Sequence, residues 1–297
     1  MSVTLTLIKR NIKLFFKDKG MFFTSLITPV ILLVLYATFL SNVYKDAFLS
    51  GMPKDVPVRE ELVDALVACQ LVSSLLAVSC ITVAFCSNFL SVQDKANGTV
   101  KDLRISPVKS STLSLSYYVA SLVSTLIICT SALALGLIYV AAVGWYLTFG
   151  DVMLLFLDVL LLVLFGTALS SVINYFLSTQ GQISAVGSIV SSGYGFICGA
   201  YMPISSFGDG LRAVVGFLPG TYGTSLLRSH TTRGVFEVMA SEGMPPDAVK
   251  GLSDSIDCAV YLFDSAVPQW TMYTVLCGCI GALVVAYILM NKFKKKV

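Results

Sequence analysis

Six stretches of this chain are each long and apolar enough to cross a membrane, and that limits the folds open to it more than any other feature. A helix needs about 20 mostly apolar residues to traverse the hydrocarbon core. Met21–Val43, Leu62–Ser91, Leu113–Leu147, Val152–Leu177, Ile183–Tyr201 and Gln269–Met290 all meet that requirement. Within a bilayer, backbone N–H and C=O groups must find partners inside the protein, so each run predicts a helix. The second and third runs exceed the minimum and are expected to tilt or to project beyond the bilayer. Only 12% of the 297 residues are charged, about half the share found in soluble domains. The expected fold class is all-α: a polytopic membrane protein with six transmembrane helices.

Six spans place both termini on one side. Thirteen cations then share that side: Lys9, Arg10, Lys13, Lys17 and Lys19 before the first span, Lys95, Lys101, Arg104 and Lys109 after the second, and Lys292, Lys294, Lys295 and Lys296 at the end. The other seven (Lys45, Lys54, Arg59, Arg212, Arg228, Arg233, Lys250) fall opposite, among most of the carboxylates. Positive residues favour the cytoplasmic side, so both termini are expected there. Asn97-Gly98-Thr99 fits a glycosylation sequon, which facing the cytoplasm would be silent. No basic patch interleaved with aromatics points to nucleic acid.

The first run is expected to be a retained span, being too long for a signal-peptide core and lacking a small-residue cleavage pattern. Before it, Leu5, Ile8, Ile12, Phe15 and Phe16 recur at helical spacing, with Lys9, Arg10, Lys13 and Lys17 on the neighbouring face. That pattern suits a helix over residues 1–20 lying in the inner interface, its cations toward anionic headgroups.

The charged segment Val92–Lys109 lies between the second and third runs. Asn97-Gly98 is a turn signal, since both residues tolerate positive φ. Thr99 is placed to cap a short helix, Val100–Ile105, with Asp102 near its N-terminal dipole and Pro107 as its stop. Val100, Leu103 and Ile105 are expected to face outward as an apolar knob for a partner's groove. An ordinary solvated loop would carry the same charges. Asp94, Gly98, Thr99, Leu103, Ser106 and Pro107, at these spacings, resemble the cytosolic loop of ABC transporter permeases of the type-2 export family. The resemblance implies that the loop, residues 93–112, forms a coupling helix that docks on a separate ATPase. It likewise implies that the interfacial helix touches that ATPase.

A second match lies between the fifth and sixth runs. Gly199, Pro203, Leu218, Pro219 and Tyr222 resemble the family's pattern of a Gly and a Pro leaving the fifth span, then a Leu-Pro and a Tyr between short helices. Phe207, Leu211, Val214, Val215 and Leu218 form an apolar face too short to span and too apolar for free water, so a re-entrant or capping element is expected. The resemblance implies that this region closes the outer end of a pathway. A purely structural cap fits the same residues. The whole segment 202–268 is expected to be an extracellular loop with short helices, its acidic part a solvated face.

Ser191 and Gly195 continue to Gly199 as a small-residue surface that lets helices approach closely, whether within one subunit or across a dimer seam. Asp158 is the acidic residue well inside a span, where an ionised carboxylate is costly and a functional suspect. Asp158, Ser191 and Gly195 are therefore candidate pathway residues. His230 is expected in the outer loop, and a single histidine makes no zinc triad. Of eight cysteines, only Cys258 falls clearly in a polar loop, so buried thiols are expected, without a metal site.

No phosphate-binding loop is present, so the chain is not expected to hydrolyse ATP, and no catalytic constellation or cofactor is expected in it. The resemblance implies one permease domain over residues 1–297, the membrane subunit of an ATP-driven exporter. Its partners would be an ABC ATPase, which binds the ATP and magnesium, a second permease copy or a related permease, and the lipid bilayer. Efflux across a bacterial plasma membrane is the expected setting. The alternatives are a gradient-driven secondary transporter using Asp158 and a non-transporting assembly or sensor protein.

Overall fold

One long helix with no outward-facing side organises the bundle. The computed structural model describes residues 3–35, 38–39, 41–42, 44–45, 48, 59–105, 108–262 and 265–293. Helix α1 (Val3–Lys17) meets α2 (Lys19–Leu35) at a 72° bend. Asp18 makes that corner, because its carboxylate caps α2 by accepting the Met21 N–H at 3.1 Å. Helix α3 (Glu60–Ala96) runs 37 residues, about 55 Å at 1.5 Å per residue. It is followed by α4 (Thr99–Ile105), α5 (Ser110–Val143), α6 (Phe149–Phe176) and α7 (Gln180–Ile197). Then come α8 (Asp209–Gly216), α9 (Pro219–Ser241) and α10 (Pro246–Ser255). A two-stranded antiparallel hairpin, β1 (Tyr261–Leu262) with β2 (Ser265–Ala266), precedes α11 (Gln269–Lys292).

Helix α3 is buried on all sides because α2, α5, α6, α7 and α9 wrap around it, while α11 covers α6 and α9 from outside. An all-round apolar helix has no amphipathic stripe, as its position at the centre demands. Its few polar residues tie neighbours in place. Ser87 pairs with Ser121 and Thr125 of α5 at 2.7 Å each, and Asn88 donates to Ser170 and Ser171 of α6 at 3.0 and 2.7 Å. Such intramembrane bonds are each worth roughly 0.6 kcal/mol and chiefly fix register.

Among the described residues, four helices are long and apolar enough to cross a membrane: α3, α5, α6 and α11. The bent pair α1 and α2 counts as a fifth when taken as one span. Of the first expected span, Met21–Val43, α2 carries the part to Leu35, and Val43 lies outside the described residues. The fifth expected span is an 18-residue helix, α7, whose Gln180, Gln182, serines and glycines keep it below that apolarity. The third ends at Val143, four residues before the expected Leu147, where Gly144 turns the chain into an extended stretch.

The main correction concerns the outer segment 202–268. Helices α8 and α10 are short as expected, but α9 is a 23-residue helix packed against α3, α6 and α11. Its low hydropathy conceals its burial, because its hydroxyls bond to its own backbone. Thr224 donates to the Gly220 carbonyl at 3.0 Å, Thr232 to Arg228 at 2.8 Å, and Thr231 to Leu227. His230 and Cys258, expected in a solvated loop, are both buried. Small residues let α9 sit close: a Cβ at Gly223 would meet Leu162, and one at Gly234 would meet the Tyr146 carbonyl. Backbone cannot give way as a side chain can. Gly234→Ala is therefore expected to cost about 1–3 kcal/mol, read as a lowered unfolding temperature in detergent, with Gly251→Ala on exposed α10 as the silent control.

Candidate functional site

At one end of the bundle meet α1, the end of α3, α4, the start of α5, and the ends of α6 and α11. This end carries Lys9, Lys13, Lys95, Lys101, Lys109 and Lys292 among the described residues. Gly98 makes the corner between α3 and α4 with φ +83°, and its carbonyl accepts the Lys101 N–H at 2.8 Å. Asn97, which also tolerates positive φ, sits in the right-handed region at φ −83°. The left-handed turn needs one residue, and glycine takes it without steric cost. Thr99 is consequently the first helical residue of α4, with Gly98 in the capping place.

Helix α4 ends at Ile105 as expected and starts one residue earlier, at Thr99, but it shows a different face. Val100 and Leu103 are half-buried against the bundle, and Ile105 alone of the three projects, 86% exposed. A seven-residue helix strung between two long ones takes its orientation from how those ends are packed. Ser106 and Pro107 lie outside the described residues.

Asp94 faces inward. Its carboxylate pairs with Arg10 of α1 at 2.8 Å and accepts the Tyr117 hydroxyl of α5. Partial burial works against the Arg10 charge, but the Asp94 hydrogen bond and charge outweigh it and raise the Arg10 pKa above its ordinary value. Next to Arg10, Asn11 is buried and donates to Ser116 of α5 at 3.5 Å. The buried face of α1 is thus Leu7, Asn11 and Phe15, while Leu5 stays exposed. Asp94→Ala is expected to loosen α1, since hydrogen bonds to a charged group contribute about 1.5–3 kcal/mol. Amide exchange within α1 should speed up at least tenfold while exchange in α5 stays unchanged.

Lys95 is the second fastening. Its ammonium donates to the carbonyls of Asn174, Tyr175 and Leu177 at 2.8, 3.2 and 3.1 Å. These are carbonyls at the C-terminal end of α6, where a cation complements the helix dipole. On α11, Asn291 accepts from Ser114 of α5 at 2.7 Å.

The family model for the ABC-2 type transporter matches residues 2–230. The chain belongs to the ABC-2 type transporter family. It is a membrane subunit of that class of transport system, and a multi-pass membrane protein. No curated protein matches it. The matched span contains α1 to α8 and the first half of α9, and so every part of the lysine-rich end of this ABC-2 chain except the end of α11.

The opposite half of the bundle holds a buried polar network that the sequence did not disclose. Arg228, 1% exposed, donates to Ser74 of α3 at 3.2 Å and to the Gly199 carbonyl, and pairs with Asp257 at 3.3 Å. Gly199, at φ +75°, ends α7 in a reverse turn: the Ala200 N–H reaches back to the Gly195 carbonyl at 2.8 Å and the Gly199 N–H to Phe196 at 3.2 Å. That turn presents the Gly199 carbonyl to Arg228. Asp257 ends α10 in the same kind of turn at φ +54°, the one non-glycine with positive φ among the described residues. Its carboxylate also accepts the Ile204 N–H. A glycine would fit that backbone more easily, but only a carboxylate neutralises Arg228.

The candidate pathway residues do not form one site. Asp158, 1% exposed, accepts the Tyr273 hydroxyl at 2.7 Å and lies 2.6 Å from Nδ1 of His230. Both its oxygens are engaged. Gly195 lies beneath the Tyr201 ring, which excludes any Cβ, and Ser191 is on an exposed side of α7. Pro203 precedes a 3-10 turn, Ile204–Ser206, and Leu218 and Pro219 start α9. Tyr222 is buried with Leu226, Val260 and Met272. On α8, Val215 is buried while Leu211 and Val214 remain exposed, an apolar face uncovered by this chain. Arg228 and His230 could have been suspected from one signal: glycines 220, 223 and 234 recur along one segment, marking it as closely packed.

Proposed function

We propose that this chain is the transmembrane half of an ATP-driven exporter, and that α4 is the element through which a separate ABC ATPase acts on it. The supporting observation is the exposed Ile105 at the tip of a short helix clamped to the bundle by Gly98, Asp94 and Lys95. An apolar side chain among cations, on a rigid base, suits a groove in a soluble partner. Asp94 then acts by positioning: it holds α1 and α5 together behind the docking helix. The lysine-rich end is the cytoplasmic one by the positive-inside tendency, with six spans and both termini inside.

Two copies, or one copy and a related permease, would pair with two ATPases. ATP binding would bias the bundle between inward- and outward-open states through different contacts to α4 in the two ATPase states. In this reading the exposed face of α8 and the turn at Gly199 form the outer gate. The test is purification from the native membrane in mild detergent, with mass spectrometry of what accompanies the chain. A stoichiometric ATPase is the expected result; an intact preparation without one would overturn the assignment.

A further inference from the structure

Two spaces adjoin at the lysine-rich end. The first is a half-open pocket of about 210 Å³, lined mostly by polar residues and bounded by α3, α4, α5, α6 and α11. Asn88, Lys101, Tyr117, Ser171 and Asn174 are in its wall. The second is a groove of about 600 Å³ between α5 and α11, where Leu115, Tyr118, Val284 and Ile288 form an apolar channel with Lys292 at its end. The two share Ser110, Ser114, Tyr287 and Asn291. A hydrogen-bonded latch forms the common wall. Ser114 donates to Asn291 Oδ1 at 2.7 Å, Asn291 donates to the Tyr287 carbonyl at 2.8 Å, and the Tyr287 hydroxyl donates to the Ser114 carbonyl at 3.4 Å.

Asn174 sets the chemistry. It is 2% exposed, yet neither its amide nitrogen nor its oxygen has a hydrogen-bond partner among the described residues. A buried amide left so is destabilising unless something supplies both an acceptor and a donor. A pair of adjacent hydroxyls does both. Among the described residues no carboxylate lines either space, and Lys101 and Lys292 border them, so the electrostatics favour an anion. An apolar channel leading to a cationic rim and a polar chamber has the shape of an amphiphile.

We propose that this groove and cavity bind a glycerophospholipid whose headgroup carries a phosphodiester and free hydroxyls. Its acyl chain lies along Leu115 and Ile288, its phosphate sits by Lys292 and Lys101, and its hydroxyls reach Asn174 once the Ser114–Asn291 bond opens. The site stands independently of the exporter assignment.

The experiment is native mass spectrometry of the purified full-length chain, titrated with phosphatidylglycerol, with phosphatidylethanol (same charge, no hydroxyl) and with phosphatidylcholine. One saturable phosphatidylglycerol per chain is expected, held at least tenfold more tightly than phosphatidylethanol and undisturbed by free glycerol 3-phosphate. Asn174→Leu should bring the two anionic lipids level. Leu115→Trp, at a half-exposed groove position, should remove the bound lipid without lowering the unfolding temperature. Equal retention of the two anionic lipids by the wild type, displacement by glycerol 3-phosphate, or a lipid that stays in folded Leu115→Trp would each overturn the proposal. The wild-type comparison and Leu115→Trp decide it even if Asn174→Leu fails to fold.

Discussion

Asp257→Ala is expected to cost about 3–5 kcal/mol, the usual penalty for leaving one member of a buried ion pair without the other. Arg228 has almost no access to water and cannot lose its charge. The substitution also strips the Ile204 N–H of its acceptor. Set against total stabilities of about 5–15 kcal/mol, such a loss should be visible as poor yield and a broad size-exclusion profile. Asp257→Gly relaxes the positive-φ backbone but still lacks the carboxylate, so it should remain severely destabilised. Asp257→Asn keeps an acceptor for Ile204 and should fall between. Combining Arg228→Met with Asp257→Ala should restore more than half of the loss, because the uncompensated charge is then gone. If Asp257→Gly proved as stable as wild type, the pairing would not be what holds this turn.

Ile105→Asp should leave the fold intact and abolish partnership. The side chain is 86% exposed, so unfolding temperature should shift little. A central apolar contact in a docking surface typically contributes 2 kcal/mol or more, equivalent to roughly thirtyfold in affinity. Co-purifying ATPase should fall by at least that factor, and transport-linked hydrolysis with it. Leu103→Asp differs, because Leu103 is seated on the bundle; it should lower both stability and partnership. Unchanged ATPase recovery with Ile105→Asp would place the docking surface elsewhere.

The apolar runs were legible because their signal is length, which no packing detail alters: α3, α5, α6 and α11 lie where the runs lie. The turn at Gly98 and the short helix after it were legible for local steric reasons. The facing of that helix was not, since Val100 and Leu103 are turned inward by α3 and α5. Helix α9 was misread because hydropathy counts a threonine hydroxyl as polar even when its own backbone carbonyl satisfies it. Arg228 was assigned to an outer loop for the same reason. Only the fold brings together Gly199 and Ser74, which accept its hydrogen bonds, and Asp257, which neutralises it. Asp94 stood out in the sequence only as part of the loop pattern; its partners Arg10 and Tyr117 lie 84 and 23 residues away, beyond any local pattern.

Lys95 stands three residues before Gly98 and grips the last carbonyls of a different helix. Under the proposed coupling, a force delivered at Ile105 would reach two rods at once. The 37-residue central helix and α6 are tied at their feet by Lys95, and only three residues separate that tie from the lever arm. A machine built this way would waste little of each stroke on bending its own handle.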